Sequence, residues 1–242
     1  MVAAGPQITK AFESCHMAAV LIECQAAAMS EDKISTNEAI DAALHLDGDP
    51  QNVKQFYADW ATQYNQDVNA AEYSGPVIAA KLLNQHLDEK EVRILDAGCG
   101  TGLVGLELKA MDYSHIDGFD LSPEMAELAT ASGAYQQVTG NIDMMCAAED
   151  FPQREYDALL SIGVFTLGHL PPQALEVLVQ LVRHNGLLVI STRSHYFAQT
   201  DYQQCVDTLL GSGQLSQLQV IWDAPYNHDG DAHYWVFKKL LG

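Results

Sequence analysis

The stretch Val92-Arg-Ile-Leu-Asp96-Ala-Gly98-Cys-Gly100-Thr-Gly102 decides the fold. Its apolar start reads as a short strand that ends on Asp96 and runs into three alternate glycines. A glycine turn lets a ligand approach the backbone closely, because no Cβ stands in the way. A little further on, His115-Ile-Asp-Gly-Phe-Asp120 reads as a second strand ending on an acid. A carboxylate about 20 residues beyond such a turn, at the tip of the neighbouring strand, is placed to accept hydrogen bonds from ribose hydroxyls. Turn and acid together select a nucleoside-shaped ligand. An ordinary strand–turn–helix does not require three glycines framed by two strand-end acids.

Two nucleosides fit the glycines. Gly100-Thr-Gly102-Leu-Val-Gly105 matches the dinucleotide pattern G-x-G-x-x-G, so an NAD(P)-dependent oxidoreductase stays open as an alternative. Asp96 weighs against it, because a pyrophosphate wants bare backbone N–H groups and a carboxylate beside it repels it. S-adenosylmethionine carries no phosphate and brings two positive groups, an ammonium and a sulfonium. An acid just before the turn then helps, directly or through water. The run from Asp96 to Gly102, with Asp120, resembles motif I and the next acidic position of class I S-adenosylmethionine-dependent methyltransferases. The resemblance implies an α/β, Rossmann-like sandwich with a mostly parallel seven-stranded sheet.

Outside the motif, the chain reads accordingly. At 242 residues and 48% hydrophobic composition it has the size and core of one α/β domain with a minor helical appendage. No apolar run reaches the ~20 residues of a membrane span. The start, Met-Val-Ala-Ala-Gly-Pro, lacks the features of a signal peptide, so the expected setting is cytoplasmic. Twelve Lys and Arg stand against 32 Asp and Glu, a formal charge of −20. Such a field repels nucleic acids and anionic membranes, and it selects no substrate beyond that. Five cysteines with no C-x-x-C pair suggest neither a disulfide framework nor zinc. No Asp-Asp-Asn cluster of the catechol-methyltransferase kind is present either, so no metal is expected.

Residues 8–29 have helical spacing, and Ser35-Thr-Asn-Glu38 is a capping box for a second helix closing near Gly48. Residues 1–48 are therefore expected to form a helical extension, serving as a lid or a homodimer contact. Residues 49–242 form the main domain. Asp49-Pro50 opens a third helix, and Ser74-Gly-Pro76 a fourth that ends near Leu87. From residue 91 strands and helices alternate, as in a doubly wound sheet. Strands are expected at 92–96, 115–120, 136–140, 156–162 and 187–192. Pro171-Pro172 opens a helix reaching about His184, and another helix spans about 198–210. Two strand-like runs, 217–224 and 232–240, form a terminal hairpin that adds an antiparallel edge strand.

Candidate site residues follow from the strand tips and from the resemblance. In the methyltransferases, the acid at Asp120 grips ribose, and Leu121 and Met125 lie near adenine. Gly140-Asn141-Ile142-Asp143 stands where the family usually has Gly-Asp and an apolar residue. Asn141 is then the expected adenine contact with Ile142 packed on the ring, and Asp143 is the partner if the register shifts. Gly98, Cys99 and Gly100 are expected to line the cofactor at the turn. Ser161, Gly163 and Val164, at the exit of the fourth strand, are expected beside its methionine portion. Leu46-Asp-Gly-Asp-Pro50, then Phe56-Tyr57-Ala-Asp-Trp60 and Tyr64, together with Ser161-x-Gly-Val-Phe-Thr-x-Gly-His169, resemble the methyltransferase-like protein 27 (Williams–Beuren syndrome region) group and its bacterial relatives. That resemblance runs from about residue 45 to the C-terminus and implies that Tyr57, Trp60 and Tyr64 close over the cofactor. His169 and His195 each follow a parallel strand at the ligand edge and are the candidate catalytic bases. The expected activity is methyl transfer from S-adenosylmethionine to a small acceptor by direct in-line displacement, leaving S-adenosylhomocysteine. A protein that binds either molecule without turnover is the rival from another class.

Overall fold

The computed structural model describes residues 38–151, 156–228 and 230–240. The expected helix at 8–29, the Ser35 end of the capping box and the dimer contact placed on them lie outside the described residues.

Seven strands form one sheet: β1 Ile94–Ala97, β2 Ile116–Phe119, β3 Gln137–Thr139, β4 Tyr156–Phe165, β5 Val182–Arg193, β6 Leu215–Asn227 and β7 Gly230–Lys239. Their order is β3-β2-β1-β4-β5-β7-β6. The pairs from β3 to β5 are parallel, and β7 runs antiparallel to both β5 and β6. The antiparallel strand read from the tail is present, set one place inside the edge, with β6 outside it. The helices are α1 Glu38–Ala43, α2 Pro50–Ala70, α3 Gly75–His86, α4 Leu103–Ala110, α5 Pro123–Ala131, α6 Ala147–Asp150, α7 Ala174–Leu181, α8 Ser194–Gln199 and α9 Tyr202–Gly211.

The central strands read as unbroken apolar runs because both of their faces are covered. Successive side chains alternate between two cores. Leu95, Leu159, Ile190 and Trp235 enter one, against α7 and α9. Ile94, Leu160, Val189 and Tyr234 enter the other, against Ala79 and Leu83 of α3 and Leu108 of α4. Helix starts follow their capping residues. The Asp49 carboxylate accepts the Gln51 N–H at 2.8 Å, with Pro50 in the first turn of α2. Ser122 Oγ accepts the Met125 N–H at 3.2 Å at the head of α5.

Three expectations are corrected. The helix after Pro171-Pro172 ends at Leu181, and β5 starts at once. Between the pairs Tyr156↔Val182 and Ala158↔Leu187 the register shifts, so Arg183 to Gly186 bulge out of the ladder instead of extending a helix. The helix placed at 198–210 is two helices. Thr200 is extended, and its hydroxyl donates to the Tyr196 carbonyl at 2.9 Å, which closes α8 and lets Tyr202 turn into the core. The helix toward Gly48 ends already at Ala43.

Candidate functional site

The carboxyl ends of β1, β2 and β4 open on a chamber of about 800 Å³, counting the space open to solvent. Open parallel sheets place ligands in such a crevice. Its floor is the glycine turn, where Gly98, Gly100 and Gly102 all have positive φ. Gly98 and Gly100 line the chamber. Asp120 stands at its centre, with one oxygen accepting the Gly100 N–H at 2.8 Å and the other the Ser122 N–H at 2.9 Å. Each oxygen keeps a second lone pair for a ligand hydroxyl. Burial pushes the Asp120 carboxyl up to about 6, against the pull of those backbone N–H groups.

Phe119, Leu121, Met125 and Ile142 give the chamber an apolar lining, and Asp143 adds a second carboxylate to it. Gly163 and Val164, at the β4 exit, form the opposite wall. Helix α2 lies across with Tyr57 and Tyr64, and His169 reaches in from the loop after β4. Among the described residues, the walls hold two carboxylates and no lysine or arginine.

Other expected contacts do not line this chamber. Asn141 has φ +64°, is exposed, and accepts from Lys54 Nζ at 2.5 Å, while Asp143, two residues on, lines the chamber. An Asn tolerates the left-handed conformation that turns it outward. Cys99 is buried under the turn, against Gly118 of β2. Burial, followed by the charges of Asp96 and Asp120, pushes its thiol well up, so it is not a thiolate. Ser161 is buried, and the next residue, Ile162, takes the place on the wall, as strand alternation requires. His195 lies at the start of α8, away from the chamber.

Trp60 also stands apart from the first chamber. It donates Nε1–H to Asp67 at 2.7 Å and lines a second space, of about 530 Å³ on the same measure. Tyr57, Tyr64, Gly163 and His169 form the partition between the two spaces. Across it, His169 Nε2 and the Tyr57 hydroxyl are 2.8 Å apart. His169 Nδ1 lies 3.0 Å from the Leu167 carbonyl, which only accepts. Nδ1 therefore carries the proton, and Nε2 accepts from Tyr57. Burial lowers the His169 pKa from 6.5, so the ring is neutral at pH 7.

Asp96 is 1% exposed and does not reach the chamber wall. One of its oxygens accepts from the Tyr135 hydroxyl at 2.6 Å, and the other has no partner among the described residues. The same tyrosine oxygen accepts the Gly105 N–H at 3.0 Å. A Cβ on Gly105 would come within 2.3 Å of the Tyr135 ring. The third glycine of the dinucleotide-like pattern thus seats a tyrosine. Sequence reasoning missed Tyr135, and the unexplained Gly105 was the one signal that could have found it.

Asp96 gives a test of this account. Burial, opposed by the Tyr135 bond and aided by Asp120, pushes its carboxyl from 3.8 to about 7. The folded chain then holds that proton more tightly than the unfolded chain, so stability is lost as pH rises from about 4 to about 7. Asp96→Asn removes this loss. The melting temperature of the variant minus that of the wild type should therefore grow between pH 5 and 8, and a flat difference would contradict a buried, half-partnered carboxylate.

Among the described residues no cluster of His, Cys, Asp and Glu is placed to hold a metal ion, and no helix is long and apolar enough to cross a membrane.

Comparison with known proteins agrees with this architecture. A methyltransferase domain model matches residues 94–186. Methyltransferase-like protein 27 of Homo sapiens is 34% identical over 161 residues, covering 64% of this chain and 63% of that one. The chain thus spans about three fifths of the length of the curated relatives it matches. A TehB-like methyltransferase structure from Corynebacterium glutamicum superposes with a TM-score of 0.56 at 20% identity, over 76% of this chain and 97% of that one. The [4+2]-cyclase SpnF superposes with a TM-score of 0.62 at 17% identity, over 81% and 98%. At such identities the likeness is one of fold, and the cyclase shows that the fold serves more than one chemistry. Motif, sheet order and the matched domain thus agree: the chain has the fold of the class I S-adenosylmethionine-dependent methyltransferases, and its residues 94–186 match a methyltransferase domain.

Proposed function

We propose that the protein transfers the methyl group of S-adenosylmethionine to a small-molecule acceptor and releases S-adenosylhomocysteine. The observation that carries this reading is the charge of the first chamber, whose described walls hold two carboxylates and no lysine or arginine. A ligand bearing a sulfonium and an ammonium group suits such walls, and a pyrophosphate does not.

In this reading Asp120 holds the ribose hydroxyls, and Gly98 and Gly100 let the ligand approach the backbone. Phe119, Leu121, Met125 and Ile142 enclose the adenine, and Asp143 accepts from its amino group. Asp96, held by Tyr135 beneath the turn, does not touch the ligand and bears on it only through its charge. S-adenosylmethionine, when bound, supplies a methyl group already activated by its sulfonium. The protein's own work is alignment, exclusion of water and removal of a proton. Helix α2 supplies the cover with Tyr57 and Tyr64. His169, neutral and facing the partition, receives the proton of an O–H or N–H acceptor.

The domain is taken as residues 49–242, with residues 1–48 an extension acting as lid or homodimer contact. A cytoplasmic setting is in keeping with the unpaired Cys99, Cys146 and Cys205. The strongly acidic balance points away from nucleic-acid and membrane partners.

Calorimetric titration tests the reading. S-adenosylmethionine and S-adenosylhomocysteine should bind, and NAD(H) should not. Tight NAD(H) binding without S-adenosylhomocysteine binding would replace the methyltransferase reading by the oxidoreductase one. Binding of both adenosyl compounds with no turnover on any acceptor would favour a non-catalytic binder.

A further inference from the structure

The two spaces on either side of the Tyr57–His169 partition carry opposite charge. The first has Asp120 and Asp143 and no cation. Among the described residues, the second has one cation, Arg193 at the end of β5, and no carboxylate on its walls. Arg193 is 5% exposed. Its Nη1 donates to Asn227 Oδ1 at 3.1 Å, and the guanidinium lies 4.3 Å from the Tyr226 ring centre. Its Nε is buried with no partner, and no carboxylate among the described residues stands within ion-pair distance. The hydroxyl of Thr166, on the same wall, is also buried without a partner.

A buried guanidinium is costly unless an anion compensates it. In a chain with 32 acidic and only 12 basic residues, a carboxylate partner would be easy to supply, yet this arginine has none among the described residues. Two of its sides are held by Asn227 and Tyr226, which fixes the plane and leaves Nε without a partner among the described residues. A planar fork of this kind matches a carboxylate with two parallel hydrogen bonds. The remaining walls, among them Ile40, Trp60, Val68 and Tyr73, are apolar or aromatic.

We infer that the second chamber is the acceptor site and that its ligand is a small organic carboxylic acid, with the carboxylate on Arg193 and Thr166 and its apolar body toward the Tyr57–His169 partition. This rests on the methyltransferase reading of the first chamber, since it takes the partition as the place where donor and acceptor meet.

The test compares benzoate, phenylacetate and hexanoate with their primary amides, by calorimetry on the wild-type chain with and without S-adenosylhomocysteine. At least one acid should bind tenfold or more tightly than its amide, and Arg193→Gln should abolish that preference while S-adenosylhomocysteine affinity stays within about twofold. Acids that bind no better than amides in the wild type would overturn the inference, and this arm needs no variant to fold. A preference that survives Arg193→Gln would overturn it as well. Failure of S-adenosylhomocysteine to bind the wild type would instead strike the reading of the first chamber, while the acid–amide comparison without it still judges the second.

Discussion

Turnover of His169→Ala should fall by about 10²- to 10⁴-fold, the usual contribution of a positioned base, while S-adenosylhomocysteine affinity changes by no more than a few-fold. The reason lies in the hydrogen bonds of the ring. The Leu167 carbonyl holds the proton on Nδ1, which leaves Nε2 as the basic nitrogen facing the partition. That lone pair is engaged by the Tyr57 hydroxyl at 2.8 Å. An acceptor proton therefore reaches the ring as a relay. It passes to the Tyr57 oxygen as the tyrosine's own proton passes to Nε2, and His169 becomes an imidazolium. Tyr57 does not act as a phenolate of its own, because burial raises its pKa well above 10. Tyr57→Phe should then cost nearly as much turnover as His169→Ala. If Tyr57→Phe is nearly silent and His169→Ala is not, the proton goes directly to the imidazole. The burial that lowers the His169 pKa from 6.5 also moves the acid limb of the pH–rate profile below that value. Full turnover by His169→Ala from pH 6 to 9 would leave the histidine a structural role only. A thiol acceptor would blunt the whole effect, since thiolates form readily near their pKa of about 8.5.

Asp120→Ala should weaken S-adenosylhomocysteine at least about tenfold. Hydrogen bonds to a charged acceptor contribute roughly 1.5–3 kcal/mol each, and two ribose hydroxyls are in question. The variant also frees the Gly100 and Ser122 N–H groups, so its melting temperature should fall by a few degrees while its circular dichroism spectrum is kept. A pH series separates ligand binding from this structural loss. With the carboxyl pushed up to about 6, the accepting carboxylate grows as pH rises from 5 to 7. Wild-type affinity should rise over that window, and the affinity of Asp120→Ala should stay flat. Equal affinities for both proteins would remove Asp120 from the ribose.

Much of this site was legible in the sequence because backbone geometry carries it. Alternate glycines announce their turn, and an acid at a strand end announces its place on the crevice rim. Gly163, Val164 and His169 follow from the rule that strand tips face the ligand. The errors arise where one residue of phase decides. Ser161 and Ile162 differ only in which face of β4 they occupy, and no local signal sets that face in a strand buried on both sides. Asn141 and Asp143 differ by a left-handed residue between a strand and a turn. Other partners are simply remote. Tyr135 meets Asp96 across 39 positions of chain, and Asn227 meets Arg193 across 34. Such pairings are made by the assembled sheet, and only Gly105, which seats Tyr135, leaves a trace of one along the chain. The same holds for the second chamber, whose walls come from α1, α2, β5 and the end of β6.

The order of the sheet carries a consequence for how this protein diversifies. The first chamber is built on β1, β2 and β4, whereas Arg193, Tyr226 and Asn227 come from the strands on the far side of β4. On the reading proposed above, the donor site and the Arg193 end of the acceptor site draw on different strands and meet at the Tyr57–His169 partition they share. Exchanging the tip of the β6–β7 hairpin should retune which acceptor is chosen and leave the donor half as it was, so that the chemistry can be inherited while the substrate changes.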